Sequence, residues 1–184
     1  MRKSFLVVMM LLFVSAWFAA EAQEMMPMPK VGTEHEVLKK LAGVWDATVE
    51  AAMEPGKPPA VSKGVETNTL LGNGMWLVTD FKSEAMEQPF EGHGILGYDS
   101  GKKKYAGVWA DSLSFAITYS WGTVDPMTGV YTEWMESSDA SGKPMKMKGV
   151  AEWKDDNNRV WNAYAIGADG KETWMMKISY IRRP

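Results

Sequence analysis

The chain has 184 residues, the length of one ordinary domain, of which 46% are hydrophobic and 23% charged. This balance excludes a disordered or collagen-like chain and predicts a protein with a real core. No cysteine is present, which excludes disulfides, thiolate metal sites and a cysteine nucleophile. The formal net charge of -3 argues against nucleic acid or an anionic membrane surface as a partner.

The first 22 residues have the features of a signal peptide. Arg2 and Lys3 precede the apolar run 5–14, and Ala20-Glu21-Ala22 supplies the small-x-small pattern at which signal peptidase cuts. The apolar run is about half the length of roughly 20 residues that a transmembrane helix needs. We therefore expect residues 1–22 to be removed, the mature protein not to be inserted in a membrane, and its location to be periplasmic or secreted.

A linker rich in Met and Pro follows at residues 23–32, ahead of a single domain at 33–184. The thioethers of Met25, Met26 and Met28 are soft ligands and raise the alternative of a copper(I) site. A methionine cluster without His or Cys is weak support for copper, and a simple tail between cleavage site and fold is favoured. The sequence predicts no metal site and no cofactor.

One short helix is predicted between Thr33 and Gly43. Thr33 as N-cap with Glu36 three residues later forms a capping box, and Gly43 suits the C-terminal stop. Val37, Leu38 and Leu41 lie on one side of such a helix.

From Trp45 onward the apolar residues alternate with polar ones, which is typical of β-strands with one buried face. Turn sequences divide the rest of the chain into short runs. The predicted strands are Trp45–Ala51, Val61–Leu71, Met75–Glu84, Phe90–Tyr98, Lys104–Asp111, Phe115–Thr123, Val130–Ser137, Met145–Trp153, Arg159–Ile166 and Thr173–Arg182.

Connections this short join antiparallel neighbours and leave no room for parallel crossovers. A meander of about ten strands must protect two sheet edges, and closure into a barrel removes both. The predicted fold is therefore all-β, an antiparallel up-and-down barrel of about ten strands, with one short N-terminal helix that covers one end. A two-sheet sandwich is the alternative, because alternation does not distinguish a closed sheet from two packed ones.

Three glycines in the fourth predicted strand, Gly92, Gly94 and Gly97, match the spacing of a dinucleotide-binding fingerprint. No long helix and no βαβ unit surrounds them, so the fingerprint lacks its structural context. Glycines inside a strand more often mark a bend, a bulge or the close approach of another group.

Three segments together carry a family resemblance. They are the pattern Glu34-His35-x2-Leu38-x2-Leu41-x-Gly43-x-Trp45, the block FEGHGILGYDSGKKKYAGVWADS at 90–112, and the turn Gly142-Lys143-Pro144-Met145-Lys146. The sequence from Thr33 to Ile181 resembles the secreted bacterial family catalogued as domain of unknown function 1579. The resemblance implies an exported, lipocalin-like or fatty-acid-binding-protein-like barrel and no established activity for the family as a whole.

Candidate chemistry is sparse, because the chain has only two histidines. His35 lies in the first helical turn, where a surface or cap-adjacent role is expected. His93 shares a strand face with Glu91 and Ile95, and if that face is the interior it could bind a haem iron or a substrate. Asp111 and Ser112 end a strand, where a turn-stabilising role is favoured over catalysis; no G-x-S-x-G elbow exists.

Aromatic content is the remaining signal, since nine tryptophans occur and all but Trp17 follow the predicted leader. Some should line a cavity suited to a flat apolar ligand, with methionines giving its wall an adaptable shape. We predict a protein that binds a small hydrophobic or amphipathic ligand, as a monomer or homodimer, with no catalytic residue assigned. Its predicted ligand-binding residues are Trp45, His93, Tyr98, Trp109, Asp111 and Trp134.

Two other function classes remain open at this point. One is an isomerase or hydrolase whose His93, Asp111 or Tyr98 converge on a cavity, or a haem-binding barrel that uses His93. The other is an envelope protein-interaction module that uses the outer face of the sheet, for which an exposed apolar patch is expected.

Overall fold

The computed structural model describes residues 30–54, 56–85 and 88–184. The predicted signal peptide and the methionines of the linker lie outside these residues. Residues Val31–Pro184 form one compact unit. It contains a 3-10 turn at Thr33–His35, a helix α1 at Glu36–Leu41, and ten strands. The strands are β1 Gly43–Ala51, β2 Ala60–Leu71, β3 Trp76–Ala85, β4 Gln88–Asp99, β5 Lys104–Asp111, β6 Thr118–Val124, β7 Tyr131–Ser138, β8 Pro144–Trp153, β9 Asn158–Ile166 and β10 Glu172–Arg182.

The sheet is a closed antiparallel barrel, which confirms the predicted fold and excludes the sandwich. Each strand pairs with its neighbour in the chain, and β1 pairs with β10 from Trp45 opposite Arg182 to Ala51 opposite Met176. Closure leaves no strand edge unpaired, so no edge is exposed to another chain.

The sixth strand begins three residues later than predicted, at Thr118. The Ser114 hydroxyl accepts a hydrogen bond from the Ala116 amide at 3.1 Å and donates to the Ala116 carbonyl at 3.2 Å. This turn replaces sheet pairing for Phe115 and Ile117, whose alternation imitates a strand. Phe115 is consequently fully exposed.

The helical segment begins one residue earlier than the predicted capping box. Gly32 is the N-cap, and its amide donates to the Nδ1 atom of His35 at 3.0 Å. The imidazole therefore has the role expected of the Glu36 side chain, and His35 is buried rather than on the surface. The helix ends at Leu41, and Gly43, with φ of 118°, begins β1.

The helical segment seals one end of the barrel. Leu38 is completely buried against Leu77 and Tyr105. The Leu41 carbonyl accepts from the Trp45 indole at 2.9 Å and from the Asn68 amide at 3.0 Å, and the Tyr105 hydroxyl donates to the Glu34 carbonyl at 2.7 Å. Groups at the end of the helix thus find partners on the barrel wall, as buried carbonyls require.

Inside the barrel, several aromatic rings lie against glycines of the adjacent strand. A Cβ atom on Gly92 would lie 2.1 Å from Cζ2 of Trp109, and one on Gly122 would lie 2.7 Å from Cε2 of Tyr131. On the outer face, a Cβ on Gly97 would lie 2.2 Å from Cε3 of Trp76. These glycines mark close approaches, as expected for glycines within a strand.

We expect Gly92→Ala to lower the free energy of unfolding by about 1–3 kcal/mol, because the new methyl group overlaps the Trp109 indole. Urea denaturation measures the loss. The same substitution in a Trp109→Phe background should lose clearly less, since the overlapping part of the indole is then absent. An equal loss in both backgrounds would show that the ring contact is not the cause.

Candidate functional site

The inner wall toward the open end of the barrel is apolar and still reaches solvent. Val49, Phe90, Trp109, Trp161 and Met176 pack on the buried core cluster around Trp45 and Phe81, but each keeps part of its surface accessible. The helical segment seals the opposite end, so this accessible inner surface, called the lumen wall below, lies on the side of the loops after β1, β3, β5, β7 and β9.

At the rim of that opening lies a separate pocket of about 300 Å³ between the β5–β6 and β7–β8 loops. Its charged side chain, Asp139, is held by its own turn. Its Oδ1 atom accepts from the Ser141 hydroxyl at 2.6 Å and the Ser141 amide at 2.8 Å. These bonds, and one from the Lys143 amide, hold the pKa of Asp139 below its ordinary value. The charged side chain of the rim pocket is therefore engaged by its own turn.

A buried ion pair lies near the sealed end. The Arg159 guanidinium of β9 contacts the Glu66 carboxylate of β2, and both side chains are buried. The Arg159 guanidinium also lies over the Tyr180 ring, 3.6 Å from its centre, and 4.8 Å from the centre of the Trp45 ring. Asn68 donates to the Glu66 carboxylate at 2.5 Å and accepts from the Thr79 hydroxyl at 2.6 Å.

The opposite charges of Glu66 and Arg159 balance each other within this network. Among the described residues, the Nε atom of Arg159 is the buried side-chain polar atom without a hydrogen-bond partner. Burial and the nearby Glu66 carboxylate raise the pKa of Tyr180 well above its ordinary value, so its hydroxyl stays protonated. An ion pair this well buried is weak evidence of stability, because desolvation offsets the attraction. The ion pair of Glu66 and Arg159 is thus a polar cluster near the sealed end, next to the apolar inner wall.

A second inward carboxylate, Glu133 of β7, is arranged differently. Its Oε1 atom accepts from the Trp161 indole at 2.9 Å, and its Oε2 atom accepts from the Tyr131 hydroxyl at 3.3 Å. Glu133 lies in register between Gly122 of β6 and Gly149 of β8. Burial raises the pKa of Glu133 more than these donors lower it.

The structure places four of the six sequence-predicted site residues on the inner wall. Trp45 is completely buried near the helix, and Tyr98 packs edge-on against Tyr105 at the same end. Trp109 lies on the lumen wall, and its indole donates to the Asp111 carboxylate at 3.0 Å. Asp111 also accepts from the Leu113 amide at 2.9 Å, which is the turn-stabilising role expected of it.

The other two, His93 and Trp134, lie on the outer face. His93 is exposed and its Nδ1 atom lies 2.5 Å from Oδ1 of Asp80 on β3. The interior haem ligand considered for His93 is therefore ruled out by its orientation. His93, Tyr98 and Asp111 occupy the outer face, the sealed end and the open end, so the structure does not form the shared pocket that the enzyme hypothesis requires.

Trp134 belongs to a row of apolar side chains on the outer face. Trp121 pairs with Trp134, and Val108 pairs with Ile95 on one side and Tyr119 on the other. Ile95, Val108, Tyr119 and Trp134 are all exposed. An exposed apolar surface is what the interaction-module hypothesis expects, but nothing in the structure shows what would cover it.

Sequence reasoning missed Glu66, Arg159 and Glu133. Each stands in phase with inward neighbours of its strand, Glu133 between Tyr131 and Met135, and Arg159 two residues before Trp161. A charged residue in the apolar phase of an alternating strand was the available signal. The sequence does not show that Glu66 meets Arg159, which is 93 residues away.

We expect Glu133→Gln to gain stability relative to the wild type as the pH rises above the ordinary pKa of 4.5. A carboxyl whose pKa is raised by folding binds its proton more tightly in the native state, so its contribution is present at low pH and lost as the pH rises through the native pKa. Thermal unfolding across this range measures the difference. Glu136→Gln, on the outer face of the same strand, is the control, and parallel curves for wild type and Glu133→Gln would contradict the expectation.

Comparison with known proteins is consistent with this architecture. Rv2717c from M. tuberculosis has a similar structure, with a TM-score of 0.61 and 12% identity over 84% of this chain and 100% of that one. The S-type phycobiliprotein lyase CPES from Guillardia theta has a TM-score of 0.57 and 8% identity over 81% of this chain and 92% of that one. No curated protein matches the sequence.

Within the described residues, no helix is both long and apolar enough to cross a membrane.

The model of one family, described as a protein of unknown function (DUF1579), matches residues 30–182, which is nearly the whole compact unit. The chain belongs to this family.

Proposed function

We propose that this protein is an exported binding protein that holds a small hydrophobic or amphipathic molecule in the barrel lumen. The observation that carries the proposal is the partial solvent exposure of inward-facing Val49, Phe90, Trp109, Trp161 and Met176. In a barrel whose interior is filled by its own side chains, such residues would be fully buried.

The arrangement of the wall supports a space for a flat apolar molecule. The rings of Trp109 and Tyr131 occupy the positions that side chains on Gly92 and Gly122 would take, so both rings lie along the wall. The Trp161 indole likewise lies close to the position that a side chain on Gly149 would take. Rings that lie along a wall present their faces to the interior, which suits apolar and aromatic ligands.

The comparisons support the proposal through the fold. A ten-stranded barrel with one sealed end can enclose a small ligand. At 8% identity, the likeness to the phycobiliprotein lyase extends to the fold and not to the activity that its name describes. The enzyme alternative has no observation in its favour, because its three candidate residues lie apart.

We expect the purified protein to bind the neutral fluorophore N-phenylnaphthylamine, with enhanced probe emission and quenched tryptophan emission. Trp109→Phe removes part of the lumen wall and should weaken binding by about 1 kcal/mol, or roughly fivefold. Trp134→Phe is the matched control on the outer face and should bind as the wild type does. Absence of binding, or equal weakening in both variants, would refute a lumen site.

The exported part of the proposal rests on residues 1–22 and is tested separately. In a Gram-negative host, we expect mature protein that begins at Gln23 in the periplasmic fraction, as identified by mass spectrometry of its N-terminus. Leu11→Arg interrupts the apolar run and should leave the uncut precursor in the cytoplasm. Full-length precursor in the cytoplasm for the wild type would contradict export.

A further inference from the structure

Besides Asp111 at the open end, the inner wall carries two carboxylates, Glu66 and Glu133, which differ in how their charge is balanced. Glu66 lies against the Arg159 guanidinium. For Glu133, none of the lysine, arginine and histidine nitrogens in 30–54, 56–85 and 88–184 comes within 4.0 Å, the distance that defines the twelve ion pairs of this region. Of this pair, Glu66 therefore has a cation of the protein beside it, and Glu133 has none among the described residues.

The side chains around Glu133 hold it in place without neutralising it. Trp161 and Tyr131 are neutral donors from two different strands, and together they fix the orientation of the carboxylate. An ionised carboxylate has about four lone-pair sites. The two hydrogen bonds from Trp161 and Tyr131 therefore leave acceptor capacity for a further group.

Two aromatic side chains, Tyr131 and Trp161, flank Glu133. The Tyr131 ring lies over Gly122, and the Trp161 indole lies beside Gly149, where added Cβ atoms would be 2.7 Å from Tyr131 Cε2 and 2.8 Å from Trp161 Nε1. Glu133, Tyr131 and Trp161 each keep part of their surface accessible. A fixed carboxylate between the rings of a tyrosine and a tryptophan is the combination that recognises organic cations.

We propose that the lumen selects amphipathic molecules with a positively charged group, and that Glu133 with the rings of Tyr131 and Trp161 binds that group. This rests on the proposed ligand-binding function and specifies its ligand class. A bound cation supplies the charge that the protein itself does not place beside Glu133, and the apolar part of the ligand lies on the wall formed by Trp109, Val49 and Met176. Burial raises the pKa of Glu133, and no cation among the described residues lies beside it to offset that effect.

The proposal is tested by displacement of N-phenylnaphthylamine with three molecules that share one alkyl chain: decyltrimethylammonium, decanol and decanoate, all below their micelle concentrations. For the wild type we expect the cation to compete about tenfold better than decanol, and decanoate to be the weakest. In Glu133→Gln the preference for the cation over decanol should fall to within about twofold. We assign this loss of preference to the contact between the Glu133 carboxylate and the positively charged group of the ligand.

Glu136→Gln is the matched control, because Glu136 lies on the outer face of the same strand beside Lys146. It should keep the full preference for the cation. Glu133→Asp retains the charge but withdraws it by one methylene, and an intermediate preference is expected. If Glu133→Gln does not fold, the proposal is tested by comparing the cation preference of the wild type with that of Glu133→Asp.

Each result has a distinct meaning. Probe binding with no cation preference in the wild type, or with the same preference in Glu133→Gln, overturns the cation site and leaves the lumen function standing. Absence of probe binding overturns both. A cation preference that is lost in Glu133→Gln and kept in Glu136→Gln supports the proposal.

Discussion

The pairing of β1 with β10 is the contact on which the rest of the structure depends. Nine of the ten strand pairs join neighbours in the sequence, whereas this pair joins Trp45–Ala51 to Met176–Arg182 across the whole domain. This pairing closes a meander, which would have two exposed edge strands, into a barrel with an interior face. The Arg182 side chain extends the closure, since it donates to the Ala42 and Lys40 carbonyls at 2.6 Å and so joins the last strand to the end of α1.

Because the barrel is closed, alternate residues of each strand face the solvent and the interior. Outward positions hold exposed ion pairs such as Lys148 with Glu172 and Arg183 with Asp46, each of little energetic value. Inward positions hold the aromatic wall and three carboxylates, of which Asp111 accepts from Trp109 and from its own turn. Since a buried charge is costly unless it is paired, the contrast between Glu66 and Glu133 is the chemical feature of the interior that most invites a functional explanation.

Most of the fold could be predicted from the sequence, because alternation and turn residues are local signals and nine strand pairings are local. The errors were also local: Ser114 forms a turn where Phe115 and Ile117 imitate a strand, and His35 caps the helical segment one residue before the expected capping box. The candidate site was harder to predict. Whether His93 points inward depends on strand phase, and the partner of Glu66 depends on closure of the barrel, so neither can be determined from one strand alone.

The glycines beneath the aromatic rings have a consequence for how this barrel can diverge. The interior width at Gly92 and Trp109 is set jointly by two residues on neighbouring strands, and a change in one is compatible with the fold only if the other changes as well. Ligand size would then shift through paired exchanges, in which a lost glycine on one strand accompanies a lost ring on the next. Related barrels of different capacity should be recognisable by such coupled positions, even where the residues that touch the ligand's polar group are the same.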